Sequence, residues 1–190
     1  IARHETGETG KVIGVDFTPA MIDKARANAE IRGFNNVEFR QGDIEHMPIT
    51  ANTADVVVSN CVLNLVPNKD AVLKDILRVL KPGGHFSISD VVLVGALPEG
   101  LRKDAEMYAG CVAGAIQKEV YMELIHANGF ENVTIQKEKP IVIPDDILIN
   151  YLSQDEINQF KTGSTGIFSV TVFAQKPLTE NKCVPGGGCC

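Results

Sequence analysis

Short apolar runs alternate with segments of helical periodicity along most of this chain, and this alternation constrains the fold more than any other feature. Residues 11–16 (KVIGVD) form a short, continuous run rich in β-branched residues, as buried parallel strands do. Further strands are predicted at 37–41 (VEFRQ), 55–60 (DVVVSN) and 85–93 (HFSISDVVL). Strands that alternate with helices form a parallel sheet with helices on both faces. The chain is therefore predicted to be an α/β protein.

Two segments between these strands carry helix signals. Thr18 is predicted to cap the first helix, with Pro19 in its first turn and Gly33 at its end. Its predicted buried face consists of Met21, Ile22, Ala25 and Ala29. Asn68 is predicted to cap the second helix, and residues 82–84 (PGG) to end it. Its predicted buried stripe consists of Val72, Leu73, Ile76, Leu77 and Leu80.

The C-terminal part of the chain is predicted to close the sheet. Helical segments are predicted at about 99–110 and 117–128, followed by strands at 133–143 and 167–175 with no helix-length amphipathic pattern between them. Such a pair is typical of the antiparallel end of a mixed sheet. From Leu178 onward the sequence is glycine-rich and lacks apolar periodicity, so we expect a domain over 1–176 and a flexible, cysteine-rich tail over 177–190.

Composition excludes several classes of partner. The net charge of −6 and scattered basic residues argue against nucleic acid, which binds clustered Lys and Arg. No apolar stretch approaches the roughly 20 residues of a membrane helix, and the N-terminus lacks a signal-peptide pattern. The five cysteines favour thiols over a disulfide framework, and the four histidines share no ligand-like spacing. We expect a cytoplasmic protein with no nucleic-acid or membrane partner.

Acidic residues follow the first two predicted strands. Asp16 ends one strand, and Asp43, followed by Ile44, comes directly after the next. Open α/β sheets bind ligands at the carboxyl ends of their strands, where Asp16 can accept the hydroxyls of a ribose and Asp43 the amine of an adenine. At each position the alternative is a turn residue that faces water. One nucleoside would span both acids, so the presence of both favours nucleoside binding over two unrelated turn residues.

Three segments, in this order and spacing, resemble the class I methyltransferases: GVDFTPAMIDKA, RQGDIEHMP and LRVLKPGG. The resemblance implies a Rossmann-like sheet, mixed through an antiparallel C-terminal strand, and S-adenosylmethionine as the cofactor. It assigns Asp16 to the ribose of the cofactor and Phe17, Asp43 and Ile44 to the adenine. It places Asn60 near the methyl donor.

A narrower resemblance covers about positions 5–176. SNCVLNLVPNKDAVLKDILRVLKPGG and YAGCVAGAIQKEVY are similar to the arsenite methyltransferase branch, in which the cysteines at Cys61 and Cys111 bind trivalent arsenic. Thiolates suit soft acids, and small residues around Cys111 would leave room for a bulky substrate. Arsenic held by sulfur keeps a lone pair that can attack a sulfonium methyl in line, so catalysis would rest on positioning and water exclusion.

The resemblance also implies an external thiol reductant, thioredoxin or glutathione, because arsenic is oxidised as it is methylated. Cys183, Cys189 and Cys190 resemble the cysteine-rich ends of some bacterial members. They are interpreted either as a cluster that captures arsenite or as an exposed terminus prone to oxidation.

Three alternatives stand beside this reading. Cys61 and Cys111 can be small apolar core residues, which is the commonest fate of a cysteine outside a disulfide. The chain can methylate an organic small molecule, such as a quinone or sterol-like acceptor. It can also be a metalloid-binding protein without catalytic activity.

The first strand and glycine-rich turn of the methyltransferase pattern are not found in this chain. Residues 1–10 are predicted to be the end of the first helix and the loop after it. The strands that flank the expected first strand would then lack a ladder partner on one side. A further substrate cysteine that the arsenite branch places upstream is also not found. We expect cofactor binding and turnover by these 190 residues to be impaired relative to a full-length protein.

Overall fold

The computed structural model describes residues 1–97, 101, 112, 114–162 and 165–178. The chain divides into two compact units, Ile1–Thr50 and Ala51–Cys190. In the described residues, no helix is long and apolar enough to cross a membrane.

The first unit contains two helices and two strands. Its elements are α1 (Ala2–Thr6), β1 (Val12–Asp16), α2 (Pro19–Ile31), β2 (Val37–Gln41) and a 3-10 turn (Ile44–His46). β1 and β2 are parallel, with Val12 opposite Val37 and Asp16 opposite Gln41. Both strands therefore end at the same edge of the small sheet, and the predicted bounds of both are confirmed to within one residue.

Helix α2 confirms its predicted ends but not all of its predicted buried face. Thr18 is the N-cap residue and Pro19 opens the helix, although the Thr18 side chain makes no capping hydrogen bond. Ile22 and Ala29 are buried, whereas Met21 is 52% exposed and its predicted burial is wrong. Because a sheet of two strands is narrow, it covers only a narrow stripe of the helix. Ile22 and Ala29 lie on that stripe, about two helical turns apart.

The second unit contains a four-stranded sheet and four described helices. Its elements are β3 (Ala54–Asn60), a 3-10 turn (Leu63–Leu65), α3 (Lys69–Val79), β4 (Leu80–Val94), α4 (Lys118–Ala127), β5 (Glu131–Pro140), α5 (Asp145–Leu148), α6 (Gln154–Thr162) and β6 (Gly166–Gln175). The strand order is β3-β4-β6-β5. β3 is parallel to β4, whereas β6 is antiparallel to both β4 and β5. The predicted mixed sheet with an antiparallel end is confirmed.

The strand pairing also agrees with the expectation that two strands would lack a neighbour. Among the described residues, β1 pairs with β2 alone and β3 with β4 alone. Each of these strands therefore presents one unpaired edge within its own unit.

Several predictions differ from the structure in the second unit. The Asn68 cap is confirmed, since its side chain accepts a hydrogen bond from the Ala71 N–H at 3.1 Å. The helix ends at Val79 rather than at the PGG segment, and the buried Leu80 is the first residue of β4. α5 and α6 lie where no helix was predicted. The predicted helix at 99–110 falls, apart from Leu101, outside the described residues.

β4 is the central strand of the second unit and contributes to the core on both faces. Because side chains alternate along a strand, Phe86 and Asp90 lie on one face, and Val91 and Leu93 on the other. Phe86 packs edge to face on Phe130, with ring centroids 4.9 Å apart. Val91 and Leu93 belong to a hydrophobic cluster with buried residues of α5, α6 and β6.

Candidate active site

The carboxyl edge of the first unit brings the predicted nucleoside-binding residues onto adjacent strands. The Gly42 N–H donates to the Asp16 carbonyl at 3.0 Å, and the Gln41 side-chain amide donates to the Phe17 carbonyl at 3.4 Å. These bonds fix the segment after β1 against the segment after β2. Asp43, directly after Gly42, therefore lies at the same edge of the sheet as Asp16.

The side chains at this edge keep polar and aromatic groups available. The Asp16 Oδ1 accepts the Thr18 N–H at 2.8 Å, and its Oδ2 makes no hydrogen bond within the described chain. The Asp43 Oδ1 accepts the Glu45 N–H at 2.9 Å, and Ile44 is half-buried beside it. The Phe17 side chain is 73% exposed. An exposed aromatic ring and an apolar side chain can pack on an adenine base, and two carboxylates can accept hydrogen bonds from its amine and from ribose hydroxyls. The residues present therefore fit S-adenosylmethionine.

Cys61 lies directly after β3 in the second unit and has an unusual backbone. Its φ is +56°, and the other described non-glycine residues with positive φ are the asparagines Asn52 and Asn132. Asparagine adopts this left-handed region far more readily than cysteine does. The Cys61 N–H donates to the Ser89 carbonyl of β4 at 2.8 Å, which holds the residue in this conformation. Backbone strain of this kind is concentrated at functional sites.

Asn60 and Cys61 occupy the end of β3 together. Asn60 is the last residue of the strand, lies opposite Ser89 in the parallel ladder, and is exposed. Asn60, predicted to lie near the methyl group of the cofactor, and Cys61, a predicted arsenic ligand, are therefore neighbours at the end of β3.

The surroundings of Cys61 are apolar. Its half-buried side chain packs against the hydrophobic cluster that contains Val91 and Leu93. The same cluster contains the fully buried Val112. Cys111, which precedes Val112, lies outside the described residues, as do Cys183, Cys189 and Cys190. Within the part of the chain that is described, no group of three or more His, Cys, Asp and Glu side chains is arranged to hold a metal ion.

A buried polar group on β4 was missed by the sequence reasoning. Asp90, next to Ser89, is fully buried, and burial raises its pKa to about 6 against the opposing effects of the Val91 N–H and Lys69. Burial also lowers the pKa of Lys69 and raises the pKa of Tyr121, whose phenolate is disfavoured further by the charge of Asp90. The signal in the sequence was an acid inside an otherwise apolar strand, SISDVVL.

A family model described as a methyltransferase domain matches residues 1–129. This chain belongs to the methyltransferase domain family. The predicted fold class is therefore correct, and the strand-end residues described above occur in a methyltransferase domain.

Individual relatives of this methyltransferase domain include arsenite and quinone methyltransferases. An arsenite methyltransferase from Halobacterium salinarum is 39% identical over 181 residues, which is 95% of this chain and 44% of that protein. A demethylmenaquinone methyltransferase from Lactobacillus johnsonii is 42% identical over 87 residues, which is 44% of this chain and 35% of that protein. The methyltransferase domain thus spans less than half the length of these curated relatives.

A solved structure resembles this methyltransferase domain over nearly its whole length. The crystal structure of an arsenic(III) S-adenosylmethionine methyltransferase from Chlamydomonas reinhardtii matches with a TM-score of 0.69 and 31% identity. The match covers 95% of this chain and 57% of that protein.

Proposed function

We propose that this methyltransferase domain transfers a methyl group from S-adenosylmethionine to trivalent arsenic, as arsenite or methylarsenite, bound by the thiolates of Cys61 and Cys111. The observation that carries the proposal is the left-handed Cys61 at the end of β3, fixed to Ser89 and packed on the cluster that contains Val112. Val112, the chain neighbour of Cys111, belongs to this cluster. Similarity to arsenite methyltransferases along 95% of the chain supports the same choice.

The first unit is assigned to the nucleoside of the cofactor. Asp16 would accept hydrogen bonds from the ribose hydroxyls through the oxygen that Thr18 does not use. Phe17 and Ile44 would contact the adenine ring, and Asp43 its amine. S-adenosylmethionine supplies, when bound, a methyl group activated by its positively charged sulfonium. Asn60 is assigned to the region near that methyl group.

The second unit is assigned to the metalloid. Two thiolates would hold arsenic and leave its lone pair directed away from sulfur. The lone pair would form the new arsenic–carbon bond as the sulfonium–methyl bond breaks and S-adenosylhomocysteine leaves with that electron pair. The apolar cluster around Cys61 would exclude water, and no general acid or base is assigned, since the reaction requires little proton transfer. Arsenic is oxidised in this step, and an external thiol reductant, glutathione or thioredoxin, would return it to the trivalent state in the cytoplasm.

The remaining cysteines are assigned a supporting role. Cys183, Cys189 and Cys190 would capture arsenite in a tail over 177–190 and transfer it to the domain over 1–176. Replacing all three with serine should slow methylation at low arsenite concentration without abolishing it.

The test is methylation of arsenite by the protein that the gene encodes in full, with S-adenosylmethionine and glutathione. Cys61→Ser and Cys111→Ser should abolish methylation while leaving S-adenosylhomocysteine binding intact, and Asp146→Asn, at an exposed position with no assigned role, is the control. Methylation that survives both substitutions rejects the proposal.

A quinone is the second candidate substrate, because a demethylmenaquinone methyltransferase matches 44% of the chain. Its match is less than half as extensive as that of the arsenite methyltransferase. Methylation of a demethylquinone that is insensitive to Cys61→Ser would favour this candidate. Arsenite binding without any cofactor binding would instead indicate a metalloid-binding protein.

A further inference from the structure

Asn64 occupies a buried position between the segment that carries Cys61 and the central strand. It lies three residues after Cys61, in the 3-10 turn Leu63–Leu65, and is 5% exposed. Its side-chain amide Nδ2 donates to the Val91 carbonyl at 2.7 Å. The Oδ1 atom is buried and makes no hydrogen bond within the described chain. A polar side chain with half of its hydrogen-bonding capacity unused is costly to bury, so its place requires an explanation.

The main chain of Asn64 also touches the segment that follows Cys111. A Cβ atom built on Gly114 would overlap the Asn64 carbonyl oxygen and lie 2.8 Å from its carbonyl carbon. Glycine is therefore required at position 114 for a close approach between two backbones. Gly114 is one of the small residues of GCVAGA that were predicted to leave room for a substrate, and it serves this close contact. Asn64 and Gly114 each lie three residues after one of the two cysteines.

Both segments are anchored on the same stretch of β4 and the residue after it. The Ser89 carbonyl accepts the Cys61 N–H at 2.8 Å, and the Val91 carbonyl accepts the Asn64 amide. Further along, the Leu93 N–H donates to the Ile116 carbonyl at 2.9 Å, and the Gln117 side chain donates to the Gly95 carbonyl at 3.0 Å. Asn64 therefore joins the turn after Cys61, to which it belongs, to both the strand and the segment after Cys111.

We infer that Asn64 is a positioning residue that holds the turn after Cys61 against Gly114, and thereby favours ligands that take two thiols at once. The inference rests on the proposed function, since it assumes that both thiols bind one arsenic atom. Losing the bond to Val91 would let the turn after Cys61 shift against Gly114. Binding of a ligand through the sulfurs of both cysteines would weaken, whereas the reactivity of the Cys61 sulfur alone would not change.

The experiment uses the chain with Cys183, Cys189 and Cys190 replaced by serine, so that tail thiols do not contribute. Phenylarsine oxide, which binds a pair of thiols, is titrated by calorimetry, and the alkylation rate of Cys61 by iodoacetamide is measured in parallel. Asn64→Asp replaces the donor with a second acceptor facing the Val91 carbonyl. Asn128→Asp is the matched control, because Asn128 is 9% exposed and its amide donates to Asp70 and to the Leu124 carbonyl.

Asn64→Asp should weaken phenylarsine oxide binding by about tenfold or more, since a buried donor is lost and an acceptor is left unsatisfied. Cys61 alkylation should change by less than about twofold, and Asn128→Asp should leave both measurements unchanged. Gly114→Ala acts on the same contact from the other segment and should reproduce the loss; it decides the question if Asn64→Asp does not fold.

The failures of the two proposals are distinguishable. If Cys61→Ser and Cys111→Ser abolish phenylarsine oxide binding but Asn64→Asp and Gly114→Ala bind like the parent chain, the role of Asn64 is wrong and the proposed function stands. The same holds if Asn64→Asp slows alkylation as much as it weakens arsenical binding. If the parent chain does not bind phenylarsine oxide, or binds it without these cysteines, both proposals fail.

Discussion

The N–H of Cys61 donates to the carbonyl of Ser89 at 2.8 Å, and this bond joins the end of one parallel strand to its neighbour through a residue with φ of +56°. A cysteine in this conformation is strained, because its Cβ approaches the backbone in a way that glycine avoids. A sequence under selection for stability alone would place glycine or asparagine there. The strain is consistent with a requirement for the sulfur.

The strain predicts a trade-off between stability and binding at position 61. Cys61→Gly should be more stable than Cys61→Ala by about 1 kcal/mol, because both lack the sulfur and only alanine keeps the strained Cβ. Urea unfolding followed by tyrosine fluorescence measures the difference. Neither variant should bind phenylarsine oxide at this site. An alanine variant as stable as the glycine variant would show that position 61 is unstrained.

Asp90 predicts how stability depends on pH. Burial raises its pKa from 3.8 to about 6, so the folded state holds the proton more tightly than the unfolded state does. The free energy of unfolding should therefore fall as pH rises from about 4 to 7, by up to about 3 kcal/mol. Asp90→Asn should remove this fall, while exposed Asp146→Asn should keep it. Parallel pH dependences for the parent chain and Asp90→Asn would contradict the assignment.

Asp16 predicts the effect of charge on cofactor binding. Asp16→Asn keeps an Oδ1 that can accept the Thr18 N–H, but it loses the charge available to the ribose. In the protein that the gene encodes in full, its affinity for S-adenosylhomocysteine should fall by about tenfold, as expected for charge-assisted hydrogen bonds. Calorimetry measures the change, with exposed Asp23→Asn as the control. Equal affinities for the parent and Asp16→Asn would remove Asp16 from the site.

The edge strand β3 predicts self-association of the isolated chain. Val56 and Val58 project from the same side of β3 and are 47% and 66% exposed. An apolar edge strand favours pairing with another copy, and a lysine at such a position opposes it. Val58→Lys should reduce the sedimenting oligomer in analytical ultracentrifugation. Val142→Lys, at an exposed position outside the strands, should not. Monomeric sedimentation of the parent chain at high concentration would contradict this prediction.

The sequence was sufficient to predict β1, β3, β4 and β6, because each contains a short run of apolar and β-branched residues. It was also sufficient for α2 and α3, which have caps and apolar stripes. It missed α6 because only Ile157 and Phe160 of that helix are buried. A local signal was present, since Ser153 and Glu156 form a capping box: the Ser153 N–H donates to the Glu156 carboxylate at 2.8 Å, and the Glu156 N–H donates to the Ser153 Oγ at 3.5 Å.

The features of the site that escaped prediction depend on tertiary contacts. No local rule assigns a left-handed backbone to Cys61, because the conformation is imposed by Ser89 on a neighbouring strand. Gly114 looked like a small residue beside a substrate, and its role emerges only from its contact with Asn64. The pKa of Asp90 depends on its burial in the folded chain, which no local sequence rule predicts.

X-ray absorption at the arsenic edge tests the central claim most directly, because it counts the sulfur atoms bound to arsenic. The sample is the chain with its three tail cysteines replaced by serine, loaded with arsenite. Sulfur from both Cys61 and Cys111 should surround the arsenic, and Cys61→Ser or Cys111→Ser should each remove one sulfur from the shell. An arsenic atom surrounded by oxygen alone, or a sulfur shell unchanged by either substitution, would contradict the account.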